Sequence, residues 1–395
     1  MLALSKMAAA VQPSATLAAG AKAKQLKAEG VNVFDFSLGE PDFATPEHIC
    51  AAAARAAQTG HTHYTPAAGT PELRKAVAKW YEKTYAIRYS PEQVIVSNGA
   101  KHSIYTALAA LVGPGDEVVI PTPYWVSYSD MVEMTGARYV LVPTTLESGF
   151  KMSPAQLRAA ITPRTKLLML NSPNNPTGTV YTRPELEALA DVVLQTKIAV
   201  LSDEIYEKLI FGDAKATCFA AMRPELAERT ITVSGASKTY AMTGWRMGWA
   251  LGPANVIKAM GNVQSQMTGC PSSVSQAAAL AALEGDQGCV EAMRRDFEAR
   301  RDLVCRRLAA MPGVRCRVPE GAFYAFFDVS QHFGRTLGGR KVTDSSSFCA
   351  AALETAHVNL VPGSAFGAEG YVRLSYATSR EQLNGGLDRL EAWLR

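Results

Sequence analysis

The 395-residue sequence predicts an α/β protein: a large domain with a mainly parallel seven-stranded sheet between helices, and a smaller α+β domain. Two observations carry this expectation. Through the middle of the chain, short apolar, β-branched runs alternate with segments of helical period, the rhythm of βαβ units. Beyond about residue 285 the pattern changes to a long charged helix followed by isolated strand-like runs. The length suffices for two domains sharing a close interface.

The strand runs come in order: QVIVSN (93–98), EVVIPT (117–122), RYVLVPT (138–144), KLLMLN (166–171), IAVLSD (198–203), ITVSG (231–235) and MGWALG (247–252). Their near-continuous apolar character fits strands buried on both faces, as in parallel sheets. Between them lie segments such as PELEALADVVLQT (184–196), whose apolar residues recur at helical spacing. After residue 285 come GCVEAMRRDFEARRDLVCRRLAAM (288–311), GAFYAFFDV (321–329) and YVRLSYA (371–377). The expected division is therefore 46–284 for the large domain, with 1–45 and 285–395 forming the small one. Ligands of such sheets bind beyond the carboxyl ends of the strands. The polar residues that follow these runs are thus the first candidates: Asn98-Gly99, Tyr124-Trp125, Asn171 through Asn175, Asp203 with Tyr206, and Lys238.

Composition excludes several classes. Forty basic residues against 36 acidic ones leave a net charge of +4, interspersed along the chain, so neither nucleic acid nor a membrane surface is an expected partner. Seven cysteines, an odd number without C-x-x-C pairs, argue against a disulfide framework or a zinc site and favour a reducing cytoplasm. No apolar run approaches the roughly 18 to 20 residues that span a bilayer. The N-terminal stretch has no acidic residue before Glu29 and is alanine-rich, as transit peptides are. It also lacks arginine and runs into a plausible helix, so it is read as part of the mature fold.

One lysine stands out by its surroundings. Lys238 lies in SGASKTYAMTGWRMG (234–248), a turn of small residues directly after a strand, with Arg246 eight positions on. A lysine that attacks a carbonyl must lose its proton, which burial and a neighbouring cation both favour. Hydroxyls and backbone N–H groups around Ser234, Gly235 and Ser237, with the Arg246 fork, make a phosphate cradle. An amine beside a phosphate cradle suggests pyridoxal 5'-phosphate. Asp203, ending its strand, is placed to be the carboxylate which that cofactor's pyridine nitrogen requires.

SGASKTYAMTGWRMG resembles the lysine signature of the class I and II aminotransferases, the fold type I pyridoxal phosphate enzymes. SLGEPDFATPEHI, HYTPAAGTPELR, PTPYWVSY, NSPNNPTGTVY, SDEIYEKLIF and VRLSYATS continue the resemblance in family order from about residue 30 to 380. The texture is closest to the bacterial aspartate aminotransferase branch, which also includes enzymes acting on prephenate.

The resemblance implies roles. Lys238 would hold the cofactor aldehyde as an imine and then shuttle a proton between the substrate α-carbon and the cofactor. Asp203 would pair with the pyridinium nitrogen, Asn175 and Tyr206 would donate to the phenolic oxygen, and Trp125 would lie against the ring. The phosphate would meet Arg246, Ser237 and the N–H groups of Gly99, Ala100 and Lys101, at a helix expected to run from His102. Arg373, alternating with Val372 and Leu374 in a strand, would clamp the substrate α-carboxylate bidentately. Gly39 would add a backbone contact to the substrate, as would the side chains of Trp125 and Asn175. Tyr64 resembles the tyrosine that reaches the phosphate of the neighbouring subunit, which implies a homodimer with shared active sites. The substrates implied are amino acids and 2-oxo acids, with aspartate and 2-oxoglutarate first.

The sequence also departs from family patterns. The stretch NVQSQMTGCPSSVSQ (262–276) offers no arginine for a second substrate carboxylate, so Lys101 is the expected cation. Gln12, beside Pro13, stands where relatives often carry a basic residue associated with prephenate. Prephenate or aromatic amino acids as substrates, or a lyase reaction on the same scaffold, are the alternative readings.

Overall fold

The computed structural model describes residues 2–11, 13 and 15–395; Gln12 lies outside the described residues. Its strands are β1 (Phe34–Asp35), β2 (Val94–Asn98), β3 (Glu117–Thr122), β4 (Arg138–Pro143), β5 (Thr165–Asn171), β6 (Ala199–Asp203), β7 (Thr230–Gly235) and β8 (Met247–Leu251). They continue with β9 (Arg315–Cys316), β10 (Tyr324–Asp328), the hairpin β11 (Thr336–Leu337) and β12 (Arg340–Lys341), then β13 (Val358–Asn359), β14 (Val361–Pro362) and β15 (Tyr371–Ser375).

The seven-stranded sheet has the order β2-β8-β7-β6-β5-β3-β4. Only β8 runs antiparallel to its neighbours, pairing Val94 with Leu251 on one side and Thr232 with Leu251 on the other. This agrees with the mainly parallel sheet expected from the seven apolar runs. Strand β7 is buried along its whole length because helices cover both faces. On one face the helices Ala100–Leu111 and Ala254–Met267 bury Ile104, Leu108, Ile257 and Met260 against Ile231 and Val233. On the other, Pro71–Tyr85 and Ser273–Glu284 bury Leu73, Val77 and Ala279 against Val96 and Trp249. Helix Arg183–Leu194 starts on a capping box, in which the Glu185 carboxylate accepts from the Thr182 backbone N–H at 2.7 Å.

A second, four-stranded sheet has the order β14-β15-β10-β9. The long helix Gly288–Ala309 and the terminal helix Arg380–Leu394 bury Phe297, Val304, Leu387 and Leu390 against it. Phe34 and Phe36, from the N-terminal part, join the same core, and β1 pairs in parallel with β13. So do Ile205, Tyr206, Leu209 and Phe211 from the segment after β6, which makes an antiparallel bridge at Ile210 and Gly321. That segment ties the carboxyl end of the large sheet to the smaller one, and the cleft opens between them. Among the described residues no helix is long and apolar enough to cross a membrane.

Candidate active site

A cavity of about 490 Å³ opens at the carboxyl ends of β5, β6 and β7. Asn171, Asp203, Ser237 and Lys238 line it from the large sheet, and Tyr324 and Arg373 from the small one. This is the edge where an open α/β sheet presents its loops.

Lys238 sits on the short helix Ala236–Thr239, directly after β7. Its Nζ donates to the Gly39 carbonyl at 2.5 Å. Burial, the first cause, lowers its pKa to about 8; Glu40 opposes this shift, while the positive Arg246 and Arg373 add to it. A lysine with that pKa is a competent nucleophile near neutral pH. Gly39 is needed for close approach, since a Cβ there would stand 2.8 Å from the Tyr324 hydroxyl.

Asp203 ends β6 and is 3% exposed. Burial raises its pKa to about 6, against hydrogen bonds from the Tyr128 hydroxyl at 2.5 Å and the Ile205 N–H at 3.2 Å. Asn171 ties this strand end to the next turn: its Nδ2 donates to the Asp203 carbonyl at 2.9 Å, and its Oδ1 accepts from the Asn175 N–H at 2.8 Å. Asn175 Oδ1 in turn accepts from Arg373 Nη1 at 3.0 Å, which leaves the Asn175 amide N–H₂ as the donating end. The Tyr206 and Tyr324 hydroxyls lie 2.8 Å apart.

Arg373 is 1% exposed. Nη2 donates to the Ser37 carbonyl at 2.7 Å, the guanidinium lies 4.5 Å over the Tyr324 ring, and Nε has no partner among the described residues. A buried guanidinium without a carboxylate partner is a site for an anion.

At the opposite end, helix Ala100–Leu111 points its N-terminus into the cavity. It begins two residues earlier than expected, because Gly99 (φ +86°) makes the cap. The Gly99 N–H is engaged by the Ser97 carbonyl at 2.7 Å, so of the three expected donors Ala100 and Lys101 keep unbonded N–H groups in the first turn. Gly99 serves through its missing side chain instead: a Cβ there would fall 2.4 Å from Arg246 Nη2. Arg246 lines the cavity beside Ser237, and Lys101 Nζ lies 4.8 Å over the Trp125 ring. The Lys101 pKa is lowered, by burial first and by Arg246 second.

All the residues to which the resemblance gives a role, except Gly99 and Tyr64, thus line one cavity, while Asn98, Tyr124, Asn174, Ser234 and Gly235 from the wider set of candidates do not. Tyr64 is 96% exposed and borders a separate open cleft with His63, Cys270 and Pro271. The sequence alone did not single out Thr16, Glu40, Ser127, Thr243 and Tyr324 among the lining residues, nor Tyr128 behind Asp203. Tyr128 stands in PTPYWVSY, three residues after Trp125, and this was the one available signal.

The fold and the cavity define an α/β enzyme with a buried lysine of depressed pKa, Lys238, between two anion-binding ends. The pattern shared by proteins described as aminotransferase class I and II matches residues 31–390. The chain belongs to this family. It is 48% identical to an aspartate/prephenate aminotransferase of Cereibacter sphaeroides, over 99% of this chain and 98% of that one. It is 46% identical to an aspartate aminotransferase of Geobacillus stearothermophilus, with the same coverage. Among solved structures, the aspartate aminotransferase of Rhizobium meliloti superposes with a TM-score of 0.97 at 43% identity, covering 100% of this chain and 99% of that one. A Thermus thermophilus aspartate aminotransferase with maleate superposes with a TM-score of 0.94 at 43% identity, covering 100% of both chains.

Proposed function

We propose that the protein transfers the amino group of aspartate to 2-oxoglutarate, using pyridoxal 5'-phosphate bound in the cavity around Lys238. One observation carries this reading: a depressed lysine, a buried carboxylate, a helix N-terminus with an arginine, and a carboxylate-free buried arginine all face the same 490 Å³. The donor set fits the cofactor. Ala100, Lys101, Ser237 and Arg246 suit its phosphate, Asp203 its ring nitrogen, and the Asn175 amide with Tyr206 its phenolic oxygen. When bound, the cofactor supplies an electron sink for the charge left on the substrate α-carbon.

The chain's own residues do the rest. Lys238 would hold the cofactor through its amine and, when free, would take and return the proton of the substrate α-carbon. Its lowered pKa leaves a useful fraction of free amine at neutral pH. Arg373 binds the α-carboxylate through its fork, and Gly39 lets the substrate approach the backbone. Trp125, which lines the cavity, would pack against the cofactor ring and contribute to the substrate pocket. Lys101 takes the second carboxylate. Support for a dicarboxylate comes from the relatives named aspartate aminotransferase and from the relative solved with maleate, itself a dicarboxylate.

The coarser organisation completes the reading. Residues 46–284 form the cofactor domain, and 1–45 with 285–395 form the smaller one. Tyr64, exposed here, serves the phosphate of a second copy in a homodimer with shared sites. The seven cysteines, all free, suit the cytoplasm.

A donor panel with 2-oxoglutarate as acceptor tests the reading. Aspartate or glutamate should convert the lysine-bound chromophore to pyridoxamine phosphate with release of the 2-oxo acid. Carbon dioxide release instead would overturn it in favour of a lyase. Prephenate belongs in the panel as acceptor, because the relative at 48% identity carries it in its name.

A further inference from the structure

The turn that carries Arg246 is irregular and has little backbone bonding of its own. Between the short helix ending at Thr239 and β8, both Ala241 (φ +51°) and Arg246 (φ +56°) adopt the left-handed region, which side-chain-bearing residues rarely occupy. Among the described residues the backbone N–H groups bonded here are Tyr240, to Ala236 O at 3.0 Å, Met242, to Ser237 O at 3.1 Å, and Trp245, to Met242 O at 3.3 Å. Such a conformation persists only where the surroundings over-determine it.

A distant segment supplies that determination. The Thr45 hydroxyl donates to the Ala241 carbonyl at 2.7 Å and accepts from the Trp245 indole N–H at 3.0 Å. One oxygen thus joins the two flanks of the turn, next to each of its left-handed residues. The Glu40 carboxylate accepts from the Thr243 hydroxyl at 2.8 Å. The Thr243 carbonyl in turn accepts from Arg246 Nη1 at 2.8 Å, which aims the guanidinium across the mouth of the helix Ala100–Leu111. Leu38, Gly39 and Glu40 line the cavity themselves, so the strip from 38 to 45 forms one wall of the site and braces the other.

We propose that Thr45 is a positioning residue: its hydroxyl bridge holds the 241–246 turn in the conformation that presents Arg246 to an anionic group, with Glu40 bracing the same turn through Thr243. This rests on the reading that Arg246 takes the cofactor phosphate. The bridge is local to that end of the cavity. It touches neither Lys238, whose Nζ meets Gly39, nor Asp203, which Tyr128 holds. Losing it should therefore weaken the grip on the phosphate and leave the rest of the site intact.

The test compares two ligands on apoenzyme, pyridoxal 5'-phosphate and pyridoxal, by fluorescence titration in wild type, Thr45→Val and Thr45→Ser. Valine keeps the shape and removes both hydrogen bonds; serine keeps the hydroxyl. The expected result is a loss of affinity for the phosphorylated ligand on the order of 10-fold in Thr45→Val, with pyridoxal affinity changed by less than about 2-fold and Thr45→Ser close to wild type. Trp245→Phe, which removes only the indole donor, should show a smaller loss in the same direction. Equal weakening for both ligands, an unchanged Thr45→Val, or a serine variant as impaired as the valine one would overturn the proposal. Wild type that fails to prefer the phosphorylated ligand would instead remove the phosphate site on which it rests.

Discussion

The Tyr128 hydroxyl donates to Asp203 Oδ2 at 2.5 Å, and both side chains are almost wholly buried. A carboxylate in that position has two opposed influences on it. Burial pushes its pKa up to about 6, while the tyrosine and the Ile205 N–H pull it down. The pair therefore keeps an acid ionised at neutral pH in a place where burial alone favours the neutral form.

We predict that Tyr128→Phe moves the acid limb of cofactor affinity to higher pH. Removing a donor to the carboxylate raises the Asp203 pKa further, so the charged form that pairs with a pyridinium is populated only at more alkaline pH. Affinity measured from pH 5 to 9 checks this; an unshifted limb would mean that Tyr128 only packs. Asp203→Asn, which removes the charge and keeps the size, should slow the half-reaction by roughly two or more powers of ten.

Lys238 gives two readouts. Lys238→Ala should abolish turnover and still bind cofactor through the phosphate contacts, and borohydride reduction of the wild type should place the pyridoxyl adduct on Lys238 alone. In apoenzyme, Lys238→Met should be more stable than wild type at pH 7. The lysine pKa is about 8 in the fold against 10.5 for the free side chain, so between these values the unfolded chain binds more protons. Wild-type stability consequently rises with pH across that window, and the advantage of the methionine variant should fade by about pH 10.5. Denaturant midpoints that stay a constant distance apart would contradict the depressed pKa.

Lys101→Ala should lower kcat/KM for aspartate and glutamate by a factor on the order of 10 to 1,000 and spare alanine and phenylalanine. The basis is a cation held over the Trp125 ring in a cavity whose other substrate-facing cation, Arg373, takes the α-carboxylate. Equal losses on all four donors would assign Lys101 to the phosphate or the fold.

Behind the sheet, Glu204 accepts from the Ser202 hydroxyl at 2.8 Å and the Phe219 N–H at 3.1 Å, with Glu207 nearby held by Ser234 and Tyr85. Burial, with repulsion from Glu207, pushes the Glu204 pKa up to about 8. Tyr81, Tyr85, Tyr89 and Cys218 face the same cluster, and the Lys208 charge acts on Glu207 against its burial. A raised folded pKa contributes stability that is complete below the unfolded value of 4.5 and is lost as pH rises through about 8. Glu204→Gln should therefore gain on wild type between pH 5 and 9 in urea unfolding. Parallel stability curves would show that Glu204 is ionised throughout.

Much of this molecule was legible along the chain. The seven runs that became the large sheet and the positions of Lys238, Asp203 and Arg373 at strand ends or in strands all depend on signals within a few residues: a period of two or 3.6, and a small-residue turn. The contact between the Gly99 N–H and the Ser97 carbonyl was not legible, because residue types do not reveal which N–H groups are engaged in the fold. What only the tertiary structure decided are the partners that make those residues work. Tyr128 meets Asp203 across 75 positions, Thr45 meets Ala241 across 196, and Arg373 meets Asn175 across 198. Such pairs arise from the order of strands in the sheets and from the way the 38–45 strip crosses the cleft. Hydrophobic burial sets that arrangement collectively, and no local pattern encodes it.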